Sequence, residues 1–213
     1  GKDVVYTVAE PTVPAGYTVS YDQSSLTVTN THVPAETSLI ITKIWADYDN
    51  LHNLRPESIT VNLFKKVGEA DPVFVTSQVV TATDGWAWTF ADLPRYEDGV
   101  LIVYSITENE IPAYTTEING FTITNTLIVN DQTATKTWKP DGLLARMRFD
   151  VEFQLYRYTT NPDTPEPVGT PVILSAPDWN YTWANMPTMD VVGNPYTYYV
   201  VELTTLPPGF SKV

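Results

Sequence analysis

Three polar residues whose side chains can react with one another lie in strand-like segments of this sequence. Lys43 lies in "SLIITKIW", Glu108 ends "VYSITE", and Asn125 lies in "FTITNT". Each segment alternates apolar and polar residues, and all three residues share the apolar parity, so a β-strand would point them into a core. A buried amine, carboxylate and amide are costly unless they act on one another. We therefore expect the three side chains to meet and to react.

The segments around these residues predict short strands. Within residues 36–128 the alternation predicts strands at 38–45, 58–65, 73–80, 85–90, 100–108 and 121–125, and no window has a convincing 3.6-residue period. Seventeen prolines and thirteen tyrosines also favour strands and turns over helices. We interpret the fold as all-β, with the sheets laid as a sandwich.

The sequence contains an internal repeat. Three residue types recur in register: Glu four positions after a Tyr (Glu10, Glu108, Glu202), Asn in a closing "TNT" (Asn30, Asn125), and Lys two positions before a Trp (Lys43, Lys136). The spacings, 93 to 98 residues, are nearly constant, which indicates tandem domains.

The repeat predicts three parts. Residues 1–34 form the first segment, the C-terminal strands of one repeat; residues 36–128 form the complete central repeat; and residues 131–213 form a third repeat that lacks its last strand. The predicted linkers, "HVPAE" and "IVNDQ", are short. We expect the domains to follow one another with little slack.

Composition excludes several classes of function. A net charge of −13 argues against nucleic-acid binding, which needs clustered Lys and Arg. The chain has no cysteine, so disulfides and thiolate metal sites are impossible. No run is long enough for membrane insertion, and residues 1–30 have no signal-peptide pattern, which leaves a cytosolic protein or the mature part of an exported one.

Taken together, the motifs resemble a known family. "TKIW" and "TKTW", the "YSITE" type of strand followed by Pro and an aromatic residue, and the closing "TNT" look like the B-type repeat domains first named from a collagen adhesin, which recur in surface adhesins and pilins of Gram-positive bacteria. The likeness covers the whole chain. It implies tandem reverse immunoglobulin-like β-sandwiches and an extracellular, cell-surface location, with cell-wall anchoring in the parent protein.

The resemblance also implies roles for the three residues. Lys43 would be the nucleophile, Asn125 the electrophilic amide, and Glu108 the acid that promotes an isopeptide bond between them. Desolvation lowers the pKa of a lysine toward the neutral form that attacks, and the fold supplies the proximity. The reaction is a single intramolecular turnover that needs no cofactor, so we do not expect a conventional enzyme.

Other interpretations remain open at this stage. Glu110 shares the parity of Glu108 but not its place after the Tyr. Trp86, Trp88 and Phe90 share one side of a strand, which favours core packing over a sugar-binding platform. The "DYDN" run at residues 47–50 lacks the Gly and distal Glu of a calcium loop, so we expect a solvated loop there and no metal site.

The phasing of the repeat suggests a second reaction. The first segment is too short to bury a core alone, and the third repeat would expose a sheet edge. We expect the strand that ends at Asn30 to dock head-to-tail on the third repeat of another copy, beside Lys136 and Glu202, with Glu10 as the corresponding acid of the first segment.

The function we expect is mechanical. The chain would be a stalk module whose partners are neighbouring repeats of the same protein, stiffened by an internal crosslink in place of disulfides. The alternative is a ligand-binding adhesin module that recognises a host matrix protein or a glycan; the host ligand itself cannot be read from the residues.

Overall fold

The structure, a computed structural model, describes residues 1–14, 16–32, 34–139 and 144–212. This part of the chain contains a short 3-10 helix, Ala145–Met147, and fifteen strands. The strands are β1 (Tyr17–Asp22), β2 (Thr27–His32), β3 (Glu36–Ala46), β4 (Ser58–Val67), β5 (Val73–Thr81), β6 (Ala87–Pro94), β7 (Tyr96–Glu97), β8 (Val100–Glu108), β9 (Tyr114–Asn119), β10 (Thr122–Leu127), β11 (Val129–Thr135), β12 (Val151–Tyr158), β13 (Glu166–Leu174), β14 (Asn180–Pro187) and β15 (Thr197–Glu202).

The strands form five sheets. In the first segment β1 pairs with β2 as an antiparallel hairpin. The central repeat has two four-stranded sheets, with the orders β6-β3-β10-β9 and β5-β4-β8-β7. The third repeat has a two-stranded sheet, β11-β14, and a three-stranded sheet, β13-β12-β15. The predicted all-β fold of tandem immunoglobulin-like sandwiches is confirmed.

Strand alternation builds the core of the central repeat. On β3 the buried residues Ile41 and Lys43 alternate with the exposed residues Thr42 and Ile44. Buried apolar residues also line the other strands: Ile59, Val61, Leu63, Val80, Phe90, Leu93, Ile102, Ile106 and Ile123. Since side chains alternate between the faces of a strand, the inward parity of Lys43 follows from that of Ile41.

The central and third repeats contain the same hydrogen bond between a tyrosine and a proline. The hydroxyl of Tyr104 donates to the carbonyl oxygen of Pro94 at 2.7 Å, and that of Tyr198 donates to the carbonyl oxygen of Pro187, also at 2.7 Å. In each repeat the Tyr stands four positions before the recurring Glu. The sequence repeat is therefore a repeat of structure at the level of single hydrogen bonds.

Backbone contacts divide the chain into two compact units. One consists of residues 1–43, 58–109 and 118–123, and the other of residues 44–57, 110–117 and 124–213. The second unit contains two buried apolar clusters. The larger one is centred on Trp138 and belongs to the third repeat. The smaller one contains Leu54, Ala113, Tyr114 and Leu127, with Met189 and Tyr196 packed against it.

Two local expectations are wrong. The predicted linker "IVNDQ" lies largely within β11, which begins at Val129, only two residues after β10 ends. The predicted core strand at 85–90 begins later, because Trp86 has a left-handed backbone with φ of 56° and precedes β6. The side chain of Trp88 on that strand is 37% exposed, whereas Trp183 in the third repeat is buried.

Candidate functional site

Lys43 and Glu108 form a buried ion pair in the central repeat. Lys43 lies on β3, where its backbone N–H donates to the carbonyl oxygen of Trp86 at 2.8 Å. Glu108 ends β8 and lies opposite Val61 of β4. Lys43 Nζ and Glu108 Oε1 are 2.9 Å apart, and the two side chains are only 1% and 0% exposed. The structure therefore brings together two of the three residues that the sequence singles out.

The surroundings of Lys43 lower the pKa of its amine. Burial lowers the pKa of the Lys43 amine, and this effect outweighs the hydrogen bond and the charge of Glu108, which act in the opposite direction. A lysine amine attacks a carbonyl carbon only when it is unprotonated. Burial therefore makes the unprotonated form of Lys43 easier to reach than that of an exposed lysine.

Asn125 is the most fully buried of the three residues. It lies on β10, which neighbours β3 in its sheet, and its exposed fraction is 0%. Among the described residues, neither atom of its side-chain amide has a hydrogen-bond partner. A buried amide with unmet hydrogen bonds costs about 1–3 kcal/mol, and such exceptions in a folded protein call for an explanation.

The third repeat contains the same Lys–Glu pair. Lys136 Nζ donates to Glu202 Oε2 at 2.7 Å, and the backbone N–H of Lys136 donates to the carbonyl oxygen of Trp179 at 2.7 Å. Glu202 lies opposite Phe153 on β12. Lys136 directly follows β11, and its amine lies 4.9 Å from the centre of the Trp138 ring. Among the described residues, no strand follows β15.

The first segment contains the complementary pair. Asn30 Nδ2 donates to Glu10 Oε1 at 3.3 Å. Asn30 is exposed on β2, and Glu10 precedes the hairpin and is half-buried. The structure thus pairs Lys43 with Glu108, Lys136 with Glu202, and Asn30 with Glu10. Asn125 lies on β10, the strand beside that of Lys43. The roles of Lys43, Glu108, Asn125, Lys136, Glu202, Glu10 and Asn30 remain predictions.

Sequence reasoning missed the residues that orient these pairs. The carbonyl groups of Trp86 and Trp179 hold the two lysines, and the Tyr hydroxyls described above fix the glutamate-bearing strands β8 and β15. The signal was present in the sequence, since these tryptophans and tyrosines recur in register with the lysines and glutamates. Their alternation was interpreted only as packing.

Two other kinds of functional feature that a chain could contain are a metal centre and a membrane-spanning helix. Within the ranges given above, no group of three His, Asp or Glu side chains is arranged to hold a metal ion. In the same ranges, no helix is long and apolar enough to cross a membrane.

The sandwich fold and the duplicated Lys–Glu pair define a tandem immunoglobulin-like repeat protein. The family model described as the Cna protein B-type domain matches residues 39–126 and 132–211. Since these matches cover most of the sequence, the chain belongs to the Cna protein B-type domain family. The resemblance drawn from the motifs is confirmed.

Known relatives agree with this assignment. The chain is 35% identical over 210 residues to a collagen adhesin of Staphylococcus aureus, and the match covers 96% of this chain and 17% of that protein. The crystal structure of two B repeat units of the Staphylococcus aureus collagen binding protein is similar, with 34% identity and a TM-score of 0.51 over 96% of this chain and 54% of that chain. A single B repeat unit of the same protein matches with 32% identity and a TM-score of 0.41, over 80% of this chain and 87% of that chain.

Proposed function

We propose that this chain is a stalk segment of a bacterial cell-surface adhesin or pilus, stiffened by an isopeptide bond between Lys43 and Asn125. Its 35% identity to a collagen adhesin supports the adhesin class and an extracellular location on a Gram-positive cell, with cell-wall anchoring in the parent protein. One observation carries the crosslink: a buried amine and carboxylate share the repeat with a buried amide that lacks hydrogen bonds among the described residues.

The proposed reaction exchanges one C–N bond for another. Lys43 Nζ, unprotonated, attacks Cγ of Asn125 and forms the Nζ–Cγ bond. Glu108 accepts the proton that the amine loses and delivers it to Nδ2 of Asn125. The Cγ–Nδ2 bond then breaks and ammonia leaves. Because burial excludes water from the pair, hydrolysis does not compete with attack by the amine.

The bond would carry mechanical load. It would tie β3, the first strand of the central repeat, to β10, its last strand. A pull on the chain would then pass through a covalent bridge instead of separating the sheet. The bridge would also join two residues that stand 82 positions apart, and by the chain-entropy estimate for crosslinks a loop of this length stabilises a fold by about 4 kcal/mol.

The intact mass of the denatured chain tests this proposal. Loss of ammonia predicts a deficit of about 17 Da against the mass of the sequence. We expect the deficit to vanish in Lys43→Met and to vanish or form slowly in Glu108→Gln. Glu110→Gln is the matched control, because Glu110 is an exposed carboxylate two positions away and should leave the deficit intact.

A measured mass equal to that of the uncrosslinked sequence would refute the proposed crosslink. Lys43, Glu108 and Asn125 would then form a buried polar cluster in an adhesin repeat. In that case the ligand-binding function, which a panel of matrix proteins and glycans tests directly, would become the better assignment.

We propose in addition that Asn30 of one copy reacts with Lys136 of another, beside Glu202. The third repeat contains an open groove of about 1150 Å³, lined in part by residues 132–139 and 198–202. Lys136 and Glu202 are both among the lining residues. Strand β2 of a second copy, which carries Asn30 in the same "TNT" context as Asn125, has the pattern of the strand that this groove would accept.

Denaturing gels test the reaction between copies. At high protein concentration we expect covalent ladders that disappear in Lys136→Met and in Asn30→Ala. Lys43→Met should retain the ladders, which separates this reaction from the crosslink within the central repeat. A strictly monomeric chain without ladders would refute the proposal.

A further inference from the structure

Both sandwich repeats have a β-bulge at the same place. The pairing of β3 with β6 shifts between residues 37 and 39, and that of β11 with β14 shifts between residues 130 and 132. The shifted segments contain Asp92 and Asn185, which stand 93 residues apart and have left-handed backbones with φ of 54° and 58°. Bulges re-aim side chains and are built features of a fold.

In the third repeat three polar groups of the bulge residue Asn185 have partners: its backbone N–H, its backbone carbonyl and its side-chain oxygen. The hydroxyl of Tyr48 donates to Asn185 Oδ1 at 2.9 Å, and His52 Nε2 lies 2.9 Å from the Asn185 carbonyl oxygen. The backbone N–H of Asn185 donates to Asp131 Oδ1 at 2.9 Å. Tyr48 and His52 belong to the central repeat, so two of these three contacts join consecutive repeats.

The loop that provides Tyr48 and His52 has an unusual backbone. We call residues 47–55 the junction loop. Four of its residues other than glycine have a left-handed backbone: Tyr48, Asp49, Asn50 and Asn53, with φ of 57°, 56°, 61° and 53°. Such conformations are costly for residues with a side chain and persist only where the surroundings impose them.

Contacts inside the central repeat impose this conformation. Asp47 is 1% exposed and accepts hydrogen bonds from Arg55 Nε at 2.9 Å and from the hydroxyl of Tyr114 at 3.2 Å. Asn50 closes the loop, because its N–H donates to Asp47 Oδ1 and its Oδ1 accepts from the N–H of Arg55. The expectation of a solvated loop is therefore wrong for Asp47, whose partner Arg55 lies eight positions further along the chain.

Apolar packing supports the polar contacts. Met189 and Tyr196 of the third repeat pack against the cluster of Leu54, Ala113, Tyr114 and Leu127. Gly193 approaches Pro112 so closely that a Cβ atom would lie 3.2 Å from that of Pro112. The N–H of Thr188 donates at 3.1 Å to the carbonyl oxygen of Ile128, the single residue between β10 and β11.

The junction loop and the bulge that receives it are both preorganised. The loop is held by Asp47 and Arg55 within the central repeat. The receiving geometry belongs to the repeat itself, because Asp92 shows the same bulge and the same left-handed backbone while remaining exposed. Preorganised partners lose little conformational freedom on docking.

We infer that the junction loop is a docking element that fixes one repeat against the next through hydrogen bonds to the bulge residue Asn185. The partner surface is the bulge of the following repeat. The Tyr48 hydroxyl donates to the side-chain oxygen of Asn185, and the His52 imidazole donates to its carbonyl oxygen. This inference concerns packing between repeats and does not depend on the crosslink.

Spin-label distances in the full chain test the inference. The chain has no native cysteine, so Glu117→Cys and Asp163→Cys, both at exposed positions, introduce the only two labels. We expect a narrow distance distribution that broadens roughly two-fold when Tyr48→Phe and His52→Leu are combined, since domains without a firm interface move by default. Tyr96→Phe, at an exposed tyrosine outside the junction, should leave the width unchanged.

A rescue variant separates docking from misfolding. Glutamine keeps an N–H donor. The Tyr48→Phe/His52→Gln variant should therefore give a distance distribution whose width lies between those of the parent chain and the Tyr48→Phe/His52→Leu variant. Circular dichroism should be the same for all variants, because Tyr48 is exposed and His52 supports only the junction. A broad distribution in the parent chain, or equal widths in the parent and the Tyr48→Phe/His52→Leu variant, would overturn the inference.

Discussion

Lys43 and Asp47 stand four positions apart in sequence, and burial acts on both. Burial lowers the pKa of Lys43 and prevails over Glu108, which acts in the opposite direction. Burial would raise the pKa of Asp47, but the hydrogen bonds from Arg55 and Asn50 lower it overall. The first balance makes the unprotonated amine, which is the reactive form, easier to reach. The second keeps a carboxylate that anchors the junction loop.

The lowered pKa of Lys43 predicts a pH-dependent stability when the crosslink cannot form. In Asn125→Ala, the folded lysine releases its proton below the ordinary value of 10.5, so the unfolded chain binds more protons between the two pKa values. Stability should therefore rise with pH through this window and level off near 10.5. Urea unfolding at a series of pH values measures it. Parallel curves for Asn125→Ala and Lys43→Met/Asn125→Ala would contradict the prediction.

Loss of Arg55 should be costly because it isolates a buried charge. Arg55→Met leaves the Asp47 carboxylate without its guanidinium partner, and such losses cost about 3 kcal/mol. The control Arg95→Met, at an exposed arginine, should cost less than about 0.5 kcal/mol. Urea unfolding gives both values. Asp47→Asn combined with Arg55→Met should recover part of the loss, and equal small losses for the two arginine variants would count against a buried pair.

At the scale of strands and loops, local pattern predicts some elements and not others. The alternation of apolar and polar residues predicts strand β3 and the inward direction of Lys43, because burial of one face fixes the direction of every second side chain. Trp86 breaks this rule, since a turn with positive φ is not visible in polarity. The burial of Asp47 depends on Arg55, eight positions away, and on Tyr114, 67 positions away. The residue types around Asp47 do not show that these side chains meet, so the sequence predicts neither the junction loop nor its partner.

The close approach of Gly193 to Pro112 can be tested against a matched glycine. Gly193 and Gly169 both have positive φ, at 94° and 63°, so alanine strains the backbone at either position. Only at Gly193 would the new Cβ meet a neighbour, at 3.2 Å. We expect Gly193→Ala to cost about 1 kcal/mol more than Gly169→Ala in urea unfolding, because overpacking adds to strain. Equal losses would mean that the contact with Pro112 yields freely.

For the whole molecule, the proposed crosslink and the proposed docking act in series. The crosslink would hold the central repeat closed, and the junction loop would hold it against its successor. A stalk transmits force through both, and an extensible element in either place would lengthen under load. The two contributions are separable, because one depends on Lys43 and Asn125 and the other on Tyr48 and His52.

Single-molecule pulling on the full chain distinguishes the covalent part. Lys43 and Asn125 stand 82 positions apart, so a bond between them removes about 280 Å from the contour length of the extended chain. Asn125→Ala should restore that length, whereas Asn119→Ala, at an exposed position on β9, should not. Tyr48→Phe with His52→Leu should leave the contour length unchanged, because docking breaks without releasing folded chain. Full extension of the parent chain would show that the central repeat bears load through its hydrogen bonds alone.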